Sequence, residues 1–317
     1  MSRRISLSQE VLSEDLGQRV DALTAKYFPQ FSRAHIQRWI KDGDLLLNHE
    51  RIKPRHKVNA GDLITVEASE EISLKDLPEK IDLDIIREDD DILVLNKPAG
   101  LVVHPGAGNA DGTLVNGLLN YVPDLGFLPR AGIVHRLDKD TSGIMVVAKN
   151  EASYLNLIDQ LKNRTVKRKY LAVVVGQPVS GGVIDKPIGR HPKHRTKQAI
   201  VSSGKEAITE YKIKEKFDGY TLLLASLKTG RTHQIRVHFS SNDFPIVGDP
   251  LYGGKKKFAP GTSEELRKKL AEINRQALHA YSLSFNHPIN KKVITNSAPM
   301  PPDMEKLIEN LRQDASN

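Results

Sequence analysis

The sequence predicts two units in tandem, a small helix-and-strand module followed by a larger α+β domain on a mixed, largely antiparallel sheet. Three observations carry this. The chain has 317 residues, enough for about two cores at roughly 100 to 200 residues per domain. Residues 18–68 read as two short helices followed by strands, and residues 69–80 then carry mixed charge without periodicity, as a linker does. Beyond residue 81 runs of strands are interrupted by helices at irregular intervals, so the regular βαβ alternation of a dinucleotide fold is missing. The expected boundaries are an N-terminal extension at 1–17, the small module at 18–75, a linker at 76–82, the larger domain at 83–312 and a frayed tail at 313–317.

Within the small module, Val20, Leu23, Thr24 and Tyr27 fall at i, i+3, i+4 and i+7, which predicts a helix with one largely apolar stripe that ends near Pro29. Ser32 is a good N-cap for a second helix, whose buried stripe is Ile36, Trp39 and Ile40. Trp39 lies between stripe positions and is therefore expected in the core rather than as a platform for a base. Arg33, Gln37 and Lys41 share the opposite face at four-residue spacing. Gly43-Asp44 turns into a strand at 45–48, and Asn59-Ala60-Gly61-Asp62 precedes an alternating strand at 63–67.

In the larger domain, short strands at 83–86 and 92–95 flank the acidic turn Glu88-Asp89-Asp90-Asp91, and residues 113–120 are helical. Residues 144–148 form a buried strand, and Tyr154, Leu157, Ile158 and Leu161 give the next helix its stripe. Further strands are expected at 170–175, 208–217 and 221–226. Met304, Leu307, Ile308 and Leu311 define a last helix that packs on the body.

Composition narrows the chemistry. No cysteine is present, which excludes disulfides, thiolate metal sites and a cysteine nucleophile. No signal-peptide h-region or membrane-length apolar run occurs, so a cytoplasmic protein without a membrane partner is expected. Forty-seven Lys and Arg against 39 Asp and Glu give a net charge of +8 and a sequence pI near 9.4, which favours a polyanionic partner. Between Arg33 and Lys57 there are seven basic residues against three acidic ones, and we expect Arg33, Arg38, Lys41, Arg51, Lys53 and Lys57 to meet phosphates. A second basic stretch, residues 186–205, holds six Lys or Arg and no acid. It is expected to be a loop in which Arg190, Lys193, Arg195 and Lys197 contact RNA phosphates.

The most informative segment is Gly132-Ile133-Val134-His135-Arg136-Leu137-Asp138-Lys139-Asp140-Thr141-Ser142-Gly143, directly before the buried strand. A polar loop flanked by glycines places Asp138 at a sheet edge, where rigid scaffold meets accessible loop. Asp140 reads as a turn residue. His104, His135, His233 and His238 lack the spacing of metal-ligand sets and are read as structural, so no metal is expected. Gly253-Gly254-Lys255 lacks P-loop spacing and reads as a basic, RNA-facing loop.

The His135-Arg136-Leu137-Asp138 block with Thr141-Ser142-Gly143 closely resembles the signature of the RluA-type RNA pseudouridine synthases. The likeness extends through Asn96-Lys97-Pro98-Ala99-Gly100, Arg168-Lys169-Tyr170, Thr229-Gly230-Arg231-Thr232-His233-Gln234-Ile235-Arg236, Gly248-Asp249-Pro250 and Arg275-Gln276-Ala277-Leu278-His279. The small module resembles the S4 RNA-binding domain in Arg19-Val20-Asp21, Ser32-Arg33, Ile36, Ile40, Gly43, Asn48, Lys53 and Gly61-Asp62.

These resemblances imply the pseudouridine synthase fold, a large-subunit ribosomal RNA substrate and, within it, uridines of the stem-loop called helix 69. They imply that Asp138 attacks or deprotonates the sugar of a flipped uridine, so that the base is released and rejoins through C5 without a cofactor. A carboxylate in a dry pocket tends to take up a proton, and a paired guanidinium opposes this; the resemblance puts Arg231 in that role. Tyr170 becomes the residue that stacks on the uracil, and Arg136 the one that fills the space the base leaves. A monomer is expected. An RNA-binding ribosome-assembly factor with a degenerate synthase body is the competing reading, disfavoured because Asp138, Tyr170 and Arg231 all stand in their motifs. A carboxylate glycosidase or a nuclease would want a second carboxylate or metal ligands, for which no segment offers a convincing pair.

Overall fold

Strand β1 (Ser2–Glu10) opens the chain in the computed structural model, which describes residues 2–71, 76–106, 108–194, 196–254 and 258–314. Two helices follow, α1 (Val20–Tyr27) and α2 (Arg33–Asp42), then β2 (Leu45–Leu47) and β3 (Leu63–Glu71). The three strands form a sheet in the order β1-β3-β2, with both pairings antiparallel. The expectation of an extension over 1–17 is therefore corrected. Ile5 and Leu7 alternate inward and pack on the module's core, but only two aliphatic side chains carry that period amid Ser, Arg and Gln. Ser32 caps α2 as expected, its Oγ accepting from His35 N at 3.2 Å, and Trp39, Ile36 and Ile40 are buried.

The larger unit continues with β4 (Asp84–Glu88), β5 (Ile92–Lys97), α3 (Leu114–Tyr121), β6 (Ser142–Ala148), α4 (Glu151–Lys162), β7 (Lys167–Val175) and β8 (Gly182–Asp185). After these come β9 (Ile188–Arg190), β10 (Gln198–Ile200), β11 (Ile208–Phe217), β12 (Tyr220–Leu227) and α5 (Gln234–Ser240). The chain closes with α6 (Glu264–Ala271), β13 (Leu278–Asn286), β14 (Val293–Ser297) and α7 (Pro302–Asp314).

Among the described residues one nine-stranded sheet runs β4-β5-β6-β13-β7-β12-β11-β8, with β14 also paired to β13. Only β6 and β13 pair in parallel, so the sheet is mixed and largely antiparallel. Every residue of β6 is buried, which explains its continuous apolar run in sequence. Gly143 is required where β6 meets β13: it has a φ of 117°, and a Cβ there would stand 2.3 Å from Ala280 O.

Residues 186–205, expected as a loop, instead contain the antiparallel pair β9 and β10. Ile188 and Ile200 join Ala207, Val237 and Tyr252 in a small separate cluster. The charges between those isoleucines hide the strand period. Arg195 and the Lys255 loop lie outside the described residues. The small module touches the body at Glu151, whose Oε1 accepts from Ser32 N at 2.6 Å and whose Oε2 lies 3.2 Å from His35 Nδ1.

Candidate active site

The loop bearing Asp138 is braced from several sides. Ile133 bridges to Val147, and His135 Nε2 accepts from Val146 N at 3.1 Å. Burial pulls the His135 imidazole down to about 3, so it is neutral and able to accept. The loop's turn closes through Thr141 N donating to Asp138 O at 3.1 Å. Lys97, with no exposed surface, donates to the carbonyls of Pro98, Leu101 and Lys139 at 2.7, 2.9 and 2.9 Å. Burial pulls its ammonium down to about 7 against the attraction of Asp140 and Asp138. Arg275 Nη1 donates to Asp140 O at 3.2 Å and Gln276 Nε2 to Thr141 Oγ1 at 3.1 Å. Three sequence blocks thus meet on one short loop, which fixes the carboxylate of Asp138 before any substrate arrives.

Asp138 stands in a cavity of about 520 Å³ lined also by His104, Arg136, Arg168, Tyr170, Arg231 and Arg236. Its side chain is 19% exposed. The guanidinium beside it is Arg236, not Arg231: Arg236 Nη1 donates to Asp138 Oδ2 at 2.9 Å. Arg236 Nε and Nη2 donate to Asp249 Oδ2 and Oδ1 at 2.8 and 2.9 Å. Asp249 is held in turn by Leu251 N and Tyr252 N at 2.9 and 3.0 Å. Burial opposes the Arg236 charge, but the hydrogen bonds and charge of Asp249, with those of Asp138, outweigh it and raise the guanidinium above its ordinary range. Tyr252 lies beneath, its ring centre 5.1 Å from Arg236 Cζ.

The assignment of Arg231 fails for a topological reason. Arg231 sits in the turn before α5, where its N donates to Gln234 Oε1 and its Nε to Glu206 O, both at 2.9 Å. Arg236 lies inside α5 between buried Ile235 and Val237, where a charge requires a buried partner. That pattern, together with Asp249 in its Gly-Asp-Pro turn, is the signal by which the sequence could have separated the two arginines.

Tyr170 lies on β7 in the sheet's middle and lines the cavity. Burial raises its phenol above the ordinary value, so it presents a protonated ring and not a phenolate. His233, at a left-handed φ of 56° before α5, has Nε2 at 3.9 Å from Asp138 Oδ1 and Nδ1 at 2.8 Å from Tyr252 Oη. Burial keeps it below its usual range despite the pull of Asp138. Asp138 Oδ1 accepts no hydrogen bond from a described residue, so one oxygen is anchored and the other is available to react. Arg136 is exposed at the cavity rim.

Elsewhere, Arg33 is exposed and pairs with the buried carboxylate of Asp21, both Nε and Nη2 lying 3.1 Å from Oδ2. Lys41, Arg51, Lys53 and Lys57 are exposed on the small module, as is Arg38, whose Nη2 lies 3.0 Å from His35 Nε2. Arg190 and Lys193 are exposed and Lys197 is half-buried on the β9–β10 pair. Among the described residues, the grouping that could hold a metal is Asp89, Asp91 and His287 near the β4–β5 turn, with ligand atoms within 4.8 Å of one another. There His287 Nε2 already faces Asp89 Oδ2 at 3.2 Å. No described helix is long and apolar enough to cross a membrane.

The family model described as RNA pseudouridylate synthase matches residues 91–241, and that of the S4 domain matches residues 18–64. A protein of Xanthomonas campestris named ribosomal large subunit pseudouridine synthase D is 50% identical over 98% of this chain and 94% of its own. Proteins of the same name from Escherichia coli K12 and Pseudomonas aeruginosa are 47% and 48% identical, each over 99% of this chain and 97% and 98% of their own lengths. Among solved structures, human RNA pseudouridylate synthase domain containing 4 is similar, with a TM-score of 0.57 at 27% identity over 72% of this chain and 93% of that one.

Proposed function

Because the chain belongs to the RNA pseudouridylate synthase family, we propose that it isomerises uridines of large-subunit ribosomal RNA to pseudouridine, in the stem-loop called helix 69. The observation that carries this reading is Asp138 with Oδ2 anchored by Arg236 and Oδ1 open to the cavity. The open oxygen serves the first step, as nucleophile at C1′ or base at C2′. The N1–C1′ bond breaks, the uracil turns with its C5 toward C1′, the C5–C1′ bond forms, and C5 loses its proton while the freed N1 gains one, so reactant and product have one composition. Tyr170 gives the turning base a flat wall. Arg136 at the rim occupies the gap that the extruded base leaves in the stack. The basic face of the small module holds the surrounding RNA by its phosphates.

Incubating large-subunit ribosomal RNA with the wild-type protein or with Asp138→Asn, then mapping pseudouridine at each position, tests the proposal. Product is expected from the wild type alone and in helix 69. Equal product from both proteins removes Asp138 from the chemistry, and product elsewhere removes helix 69.

A further inference from the structure

Arg168 is the anomaly of the cavity. It lies on β7 two residues before Tyr170, so both side chains project from the same face of the sheet, and both line the cavity. Arg164 pairs with Glu206 and Arg236 with Asp138 and Asp249. The Arg168 guanidinium makes no hydrogen bond or ion pair with any described residue, and its Nε is buried without a partner. The nearby groups do not neutralise it: His135 is held neutral by burial, and Arg231 adds a second positive charge within electrostatic reach. Burial chiefly disfavours the Arg168 guanidinium; Tyr170 offsets part of this, and the like charge of Arg231 adds a smaller unfavourable effect.

The surroundings accommodate the group even so. A Cβ on Gly230 would stand 2.6 Å from Arg168 Nη1, so the loop that bears Arg231 lies directly against this guanidinium. A partly buried cation without a counter-charge is costly and is retained where a ligand supplies the anion. Two guanidinia lining one cavity suit a charged oxyanion better than a neutral uracil carbonyl, since each can donate to phosphate. We propose that Arg168, together with Arg231, seats a phosphodiester flanking the flipped uridine and so fixes the ribose over Asp138. This rests on the reading of the cavity as a uridine site and adds to it the group that positions the sugar.

The test is a double-mutant cycle on binding, using a helix 69 stem-loop RNA in which the phosphodiester on the 5′ or the 3′ side of the target uridine is replaced by a neutral methylphosphonate. All proteins carry Asp138→Asn, so that affinity is read without turnover. Arg168→Met should weaken binding of unmodified RNA roughly ten- to hundredfold, the range of a charge-assisted hydrogen bond. It should cost little further on the RNA whose contacted phosphate is neutral, and Arg168→Lys should recover part of the loss. The same loss on unmodified and on both neutralised RNAs overturns the proposal, as does a folded Arg168→Met protein that binds unmodified RNA normally. Pseudouridine formation by the parent protein with Asp138 intact is scored separately, so failure of the cavity's assignment shows as absent product and is not confused with absent coupling.

Discussion

Arg236 stands between two carboxylates, giving one nitrogen to Asp138 at 2.9 Å and two to Asp249 at 2.8 and 2.9 Å. The fork to Asp249 fixes the plane of the guanidinium, and that plane fixes where Asp138 Oδ2 rests. Asp249 therefore acts on the reaction through Arg236.

Asp249→Asn should reduce both stability and turnover. Removing one partner of a buried pair costs about 3–5 kcal/mol, and a guanidinium free to tilt no longer orients Asp138. Urea unfolding and single-turnover rates on the same preparation check this. A stable variant with an unchanged rate would show that Asp138 holds Arg236 without help.

His135 predicts an acid limb in stability. Its imidazole has an ordinary value of 6.5 and is pulled down to about 3 in the folded protein by burial. The unfolded chain therefore binds the extra proton between these values, and the stability contributed above pH 6.5 is lost as pH falls toward 3. At about 1.4 kcal/mol per pH unit, this amounts to a few kcal/mol. His135→Gln, which keeps an acceptor for Val146 N, should flatten the fall of the urea midpoint between pH 6.5 and 4. Identical acid limbs would mean that other groups set it.

Arg136→Ala should weaken base extrusion rather than the chemistry that follows it. Loss of a stacking cation at a cation–π strength of about 0.5–2 kcal/mol corresponds to roughly two- to thirtyfold. Fluorescence of 2-aminopurine beside the target uridine should show less unstacking with the variant than with the wild type. Unchanged fluorescence would remove Arg136 from the flip.

Lys53 and Lys57, exposed on the small module, should contribute affinity through counterion release. Replacing both by Gln should lower the slope of log affinity against log salt by about 1–2 and leave the rate at saturating RNA unchanged. An unaltered slope would place the RNA on another face.

What can be read from the sequence follows from how locally each feature is encoded. Helix α2 is legible because Ser32, Ile36, Trp39, Ile40 and Gly43 declare its cap, stripe and end within a dozen positions. Strand β6 is legible as an unbroken apolar run, and Asp138 as the polar residue at its mouth. Strand β1 escapes a reading of the sequence because its partner β3 is remote along the chain and only Ile5 and Leu7 show its period. The choice between Arg231 and Arg236 is a fact of three dimensions, since Asp138 and Asp249 are distant in the chain, with seven strands between them, and meet only through α5. Lys97 is visible only as part of a motif, because the carbonyls it holds belong to backbone, which has no sequence signature.

The most direct measurement compares Arg236→Lys and Arg231→Met, both verified as folded by circular dichroism, for single-turnover pseudouridine formation at saturating RNA. A lysine keeps the charge of Arg236 but cannot span Asp138 and Asp249 as a planar fork. The rate should fall by roughly a hundredfold or more in Arg236→Lys, the scale of losing a preorganised charge-assisted contact, and by far less in Arg231→Met, whose loss falls mainly on affinity. A wild-type rate in Arg236→Lys with a collapsed rate in Arg231→Met would contradict the account.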